Sequence, residues 1–370
     1  MCRSPIFSRI VVVFRGLVCV ATIAVAQAQS TSTDRESAER TKQIQNKAQT
    51  GDAAAQLDLG KAYEDGDGVA KSDEQALKWY RMAAEQGNAT AQDRVGVMFG
   101  SGRGVEKDKQ EATNWFRKAA KQQNPDAMFN LGAAYYNGDG VRIDDVAAYA
   151  WFLLGQTFGS RYAADAVKHM KEEKGNLESE AFERIGDMYL RGDDLPRNAR
   201  EVLKWYRKAA ENGTEAMQIK LSNFLLTETS NYTEVHDLCQ KAANRGYAPG
   251  AACMGELFMN GWGVDRNVST AEKWFRKAAN EGSALAILRL GQMYWKGEGL
   301  KRDRTSAYEF IYLASTSDLL EAEQEKERLE KELTPKELKK GKAKALEWSS
   351  QHPALVLHRL YRKSPTTKVN

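Results

Sequence analysis

Residues 62–88 read AYEDGDGVAKSDEQALKWYRMAAEQGN. Gly66 and Gly68 sit two apart, where a positive φ ends one helix and starts a turn. Ser72 follows as a helix N-cap, with Gln75 at capping-box spacing. A second helix then carries Trp79 and the Ala83–Ala84 pair, and Gly87 closes it. The stretch predicts a helix, a turn and an antiparallel second helix.

Shifted by 36 positions, the sequence aligns with itself: Gly66 meets Gly102 and Gly138, and Trp79 meets Trp115 and Trp151. The register resumes at Gly192 with Trp205, Gly261 with Trp274, and Gly297 with Phe310 in the tryptophan position. The second turn glycine recurs as Gly104, Gly140, Gly263 and Gly299, with Asp194 as the one replacement. The residue opening each second helix is Ser72, Asp108, Asp144, Asn198, Asn267 or Asp303, all strong N-caps. Each first helix carries Ala, Leu, Gly and Tyr at helical spacing, as in Ala55, Leu59, Gly60 and Tyr63. The glycine among them lets a neighbouring helix come close, although it lowers helix propensity by about 1 kcal/mol. A period in this range marks a solenoid, because one hairpin cannot bury its apolar side alone. The fold class is therefore all-α, an α/α superhelical solenoid of helix-turn-helix repeats.

Seven repeats are expected, including a degenerate one between Gly213 and Gly246, where Leu221 replaces the packing glycine and the G-x-G turn is lost. The expected organisation is a signal peptide at 1–28, a polar segment at 29–50, repeats 1–3 at 51–159, an inserted helix at 160–180, repeats 4–7 at 181–316, capping helices at 317–352 and a basic tail at 353–370. The polar stretch from Gln29 to about Thr41 and the tail are expected to be loose. Arg3 and Arg9, the apolar run Gly16–Ala26 and small residues up to Ala28 have the layout of a secretory signal. Its cleavage removes Arg3, Arg9 and Arg15, so the formal charge of +4 falls to +1. A near-neutral mature chain has no electrostatic footprint for nucleic acid, and no later segment is apolar enough to span a membrane. The expected location is periplasmic or secreted.

The pattern A-x-x-x-L-G-x-x-Y-x-x-G-x-G-V, then A-x-x-W-x-x-x-A-A-x-x-G, resembles the Sel1-like repeat, a relative of the tetratricopeptide repeat, of the secreted bacterial type. It runs over roughly residues 51–316 and is carried in the first repeat by Ala55, Leu59, Gly60, Tyr63, Gly66, Gly68, Val69, Ala76, Trp79, Ala83, Ala84 and Gly87. The resemblance implies a non-catalytic adaptor or regulator in the bacterial envelope, with another protein as its partner. A scaffold for exopolysaccharide or peptidoglycan assembly, with polysaccharide as ligand, is the alternative. A β-lactam hydrolase-like enzyme ranks third, since some cysteine-rich relatives have been linked with that chemistry.

The residues offer little for catalysis. The sequence has no S-x-x-K, and His169, His236, His352 and His358 lack zinc-ligand spacing. DGDG (65–68) and NGDG (137–140) lack the further oxygen ligands of a calcium loop. No catalytic, cofactor-binding or metal residue is assigned and no cofactor is expected. Two cysteines remain after cleavage. Cys239 and Cys253 lie seven residues either side of Gly246, so a hairpin pivoting there sets them at one height. They are either a disulfide or two packed thiols.

Solenoids bind along the face lined by the first helix of each pair. The residue after the core tyrosine position is large in several repeats: Tyr136, Leu190, Met259 and Trp295. These side chains either anchor a partner or add packing between repeats. Arg94, Arg184 and Arg289 share a register two residues before the packing glycine, and either favour an acidic partner or are simply solvated.

Overall fold

The structure, a computed structural model, describes residues 23–211 and 213–352, with side chains from residue 36 onward. Every regular element among them is helical, and the chain divides into two compact units, 1–143 and 144–370. The fold is all-α and built from superhelical repeats.

Unit 1 contains α1 (Ile23–Gln49), α2 (Ala53–Asp65), α3 (Asp73–Glu85), α4 (Ala89–Ser101), α5 (Lys109–Lys121) and α6 (Pro125–Asn137). Each helix packs on the next, so the 36-residue register becomes a stack. Gly66, Gly102 and Gly138 end the first helices in the left-handed conformation, each N–H returning to a carbonyl four residues back. Within a hairpin the packing glycine meets the aromatic ring that follows the tryptophan position. A Cβ on Gly60 would lie 2.5 Å from the Tyr80 ring, and one on Gly96 would lie 2.6 Å from Phe116. Trp79, Leu59 and Ala55 share their core with Ala48 of α1.

The second turn glycine has another role. A Cβ on Gly104 would come within 2.5 Å of the backbone of Asp73, the first residue of the preceding second helix. Gly140 meets Lys109 in the same way. Each turn therefore seats on the helix of the repeat before it, and only a bare backbone fits. Glutamines fix the same joints. Gln92 donates to the Ala84 carbonyl at 3.0 Å and accepts from Gln122 at 2.8 Å; Gln56 repeats the pattern with Ala48 and Gln86.

The polar segment expected to be loose is instead helical, as part of α1, and its latter half is docked. Ser37 donates to the Asp67 carboxylate and Thr41 Oγ1 to the Asp67 carbonyl, while Gly68 lies against Ser37. Lys109 and Thr113 make the equivalent bonds to Asp139. Ala48 and Gly51 stand where Ala84 and Gly87 stand one period later. The latter part of α1 is thus the second helix of a half-repeat. Polarity hid it, because Gln43 occupies the tryptophan position and only Thr41 and Ala48 are buried. The expected signal peptide lies mostly, and the basic tail wholly, outside the described residues.

Unit 2 begins with α7 (Asp145–Thr157), on which α8 (Arg161–Lys174) and α9 (Glu178–Arg191) both pack. α8 occupies the break in the period. α10 (Ala199–Glu211), α11 (Glu215–Glu228), α12 (Tyr232–Asn244), α13 (Ala248–Asn260), α14 (Val268–Asn280), α15 (Ala284–Lys296) and α16 (Arg304–Ala314) continue the stack, with α17 (Leu320–Glu332) and α18 (Pro335–Gln351) against α16. The degenerate repeat is still a hairpin, α11–α12, without the glycine turn. All six expected N-cap residues accept from backbone N–H groups in their helix's first turn. Cys239 on α12 and Cys253 on α13 are joined by a disulfide, with Cα atoms 5.8 Å apart.

Candidate partner-binding site

Within unit 2 the first helix α13 touches both α11 and α15, whereas no contact of that size joins α10, α12 and α14. The first helices therefore line the tighter side of the stack, where repeat proteins present a binding surface. Met259 on α13 and Trp295 on α15 are half-buried residues of this layer. Leu190 on α9 is also half-buried. Tyr136, at the end of α6 in unit 1, is only 5% exposed, so it is placed as a packing residue rather than an open contact.

The three arginines have different surroundings. Arg184 is exposed and donates to Asp144 at 3.1 Å, the residue that caps α7. Arg289 bridges Glu256 at 2.5 Å and Glu321 at 2.8 Å. Burial works against the charge of Glu321, but hydrogen bonds from Arg289 and Gln292 outweigh it and hold the carboxyl below its usual range. Arg289 thus ties α13, α15 and α17 together, and its charge is already balanced. Arg94 is half-buried on α4 and acts on Glu64, whose carboxylate receives Tyr80 and Arg103. Each of the three thus has acidic neighbours within its own unit.

Trp295 has neighbours that its sequence position did not announce. The guanidinium carbons of Arg302, Arg304 and Arg328 lie 5.8, 5.4 and 5.2 Å from its ring centroid. Each is within cation–π range. Arg302 and Arg304 flank the N-cap Asp303, so a basic turn folding back from α15 was open to discovery in the sequence. Arg328 comes from α17 and gave no such signal. Beside this cluster an open depression of ≈ 850 Å³ is lined by Tyr294, Leu300, Lys301, Arg302, Arg304 and Glu337, among others.

In unit 1 the most perturbed carboxyl is Asp93 on α4, 6% exposed. Burial pushes it up to about 6, against the opposing effects of the Asn130 amide, which donates at 2.8 Å, and of Arg94; Asp126 adds to the rise. A folded-state value above the unfolded one favours folding below about pH 4, and that advantage is lost as pH rises through 6. Asp93→Asn is therefore expected to stabilise unit 1 by about 3 kcal/mol at pH 7.5 and to have almost no effect at pH 4. Urea denaturation of both proteins at the two pH values checks this, and a gain equal at both would contradict it. Among the described residues no group of His, Cys, Asp and Glu is arranged to hold a metal, and no helix is long and apolar enough to cross a membrane.

A family model described as the Sel1 repeat matches residues 53–88, 89–124, 125–155, 180–214, 251–283 and 284–318, more than half of the chain. The degenerate hairpin α11–α12 falls between matched segments. Two solved structures are similar. One is a protective antigen present in uropathogenic Escherichia coli strains displaying an SLR fold, 26% identical, with 90% of this chain and 76% of that chain covered and a TM-score of 0.44. The other is a Sel1 repeat protein from Oxalobacter formigenes, 27% identical, with 79% and 80% covered and a TM-score of 0.36. No curated protein matches the chain.

Proposed function

The chain belongs to the Sel1 repeat family, and from that premise we propose that it is an exported, non-catalytic adaptor that holds a protein partner in the bacterial envelope. Sel1 repeats are typically protein-interaction modules. The observation that carries the reading is the run of adjoining first helices in unit 2, with half-buried Met259 among their residues. Large apolar side chains of this kind anchor interfaces. Export rests on the signal-like layout of residues 1–28 and on the cysteine pair, which suits an oxidising compartment. The glycan-scaffold reading has less support, because Trp295 already has three guanidiniums within cation–π range of its ring, where a sugar would stack.

A photo-crosslinking residue at Met259 in living cells, followed by mass spectrometry, tests the adaptor. The expected result is one dominant foreign protein attached under illumination. Adducts confined to the chain itself, or to glycan, would overturn the reading. N-terminal sequencing of the same material is expected to start just after Ala26 or Ala28, and an intact Met1 would contradict export. A hydrolase panel that includes a β-lactam chromophore is expected to show no turnover above that of the heat-unfolded protein.

A further inference from the structure

We propose that the turn after Trp295 is a docking site for an acidic peptide segment, with Arg302 and Lys301 as its charged contacts and Leu300 and Tyr294 as its apolar wall. This rests on the adaptor reading and names the chemistry of the partner at one place.

The charge balance at the site leads to this assignment. Four carboxylates lie near it, and each has a task within the fold. Asp303 accepts from the backbone of Thr305 and Ser306 and from the Ser306 hydroxyl. Glu337 accepts from the backbone and hydroxyl of Thr334 in a full capping box. Glu325 and Glu332 both hold Arg328. Arg302 and Lys301, by contrast, are exposed on the rim of the depression, and the contact that positions the Arg302 guanidinium is the face of Trp295. Arg304 is already engaged within the fold, its Nη2 donating to the Glu332 carbonyl at 2.6 Å. It also pairs with Glu337, whose Oε1 stands 3.2 Å from Nε, which leaves Arg302 and Lys301 as the cations open to a ligand.

A guanidinium laid on an indole is oriented and partly desolvated. It can then form a bidentate bond to a carboxylate at little further conformational cost. Leu300 and Tyr294 supply apolar wall in the same depression, which suits the stems of glutamate side chains better than a small inorganic ion. The depression is open and lies at the end of α15, so an extended segment can enter without any movement of the helices.

The test uses the full mature chain and a fluorescein-labelled octaglutamate peptide, followed by anisotropy. Binding is expected at 50 mM salt and is expected to weaken steeply by 300 mM. Arg302→Glu should weaken it about 10-fold or more, the equivalent of one well-used charge-assisted bond. Lys339→Glu, on the exposed side of α18, should leave it unchanged. Far-UV melting curves of both variants are expected to overlay the parent's, since both residues are exposed. The proposal fails if the peptide does not bind by 1 mM, if the two variants weaken it equally, or if inorganic phosphate or anionic phosphatidylglycerol vesicles bind with the same dependence on Arg302 while the peptide does not. Should Arg302→Glu leave peptide binding intact while Met259 still crosslinks a foreign protein, this site falls and the adaptor stands. Should Met259 capture none, the adaptor falls by itself.

Discussion

Gly104→Ala is expected to destabilise unit 1 by about 4 kcal/mol, whereas Gly87→Ala, one helix earlier, costs about 1. Both glycines have positive φ, +67° and +91°, so both substitutions carry the conformational penalty of an L-residue there. They differ in what the new methyl meets. At Gly87 nothing lies within 4 Å. At Gly104 the carbonyl carbon and oxygen of Asp73 both lie at 2.5 Å, and the Glu74 nitrogen at 2.8 Å. These are backbone atoms at the start of a capped helix, so the two repeats must move apart. Denaturation followed by circular dichroism measures the difference, and hydrogen exchange locates it. The amides of α3–α5 should lose protection in Gly104→Ala and keep most of it in Gly87→Ala. Equal costs would mean that the turn does not seat on the preceding repeat.

Replacing both Cys239 and Cys253 by alanine is expected to lower the stability of the α11–α13 region by about 3 kcal/mol, the value for a closed loop of about 15 residues. The staple sits where ordinary joints are weakest. The turn between α11 and α12 has no G-x-G, and Tyr247, just before α13, offers no side-chain cap, whereas Ser72, Asn88 and Ser283 cap their helices. Dithiothreitol should reproduce the loss in the parent and add nothing to the double variant. Denatured mature protein should titrate with no thiol. Two thiols, or a parent indifferent to reductant, would remove the bond from the account.

Much of this architecture was legible in the sequence because its signals are local. A left-handed turn needs glycine, and a helix start needs a short oxygen-bearing side chain, so Gly66 and Ser72 declare themselves within their own hairpin. Contacts between repeats are harder to read. The second turn glycine meets backbone at Asp73 and Lys109 but side chain at Tyr232 and Val268, so the residues beneath it share no type. α1 escaped notice for a related reason. With no packed helix before it among the described residues, this second helix has less to bury; Gln43 takes the tryptophan position, and only Ala48 and Gly51 keep the pattern. The candidate site was half visible. Trp295 stood out by its register, but the three arginines around it converge from a turn and from α17, and spacing alone does not foresee that.

The half-repeat formed by α1 bears on how such chains lengthen. Its junction with α2 uses the same bonds as the junction between α5 and α6, although no helix leads into it among the described residues. A genetic duplication of one period could therefore be cut at any phase and still splice into the array with matching ends. Reach, and with it the span of partner that is gripped, would be adjustable in evolution without inventing a new joint.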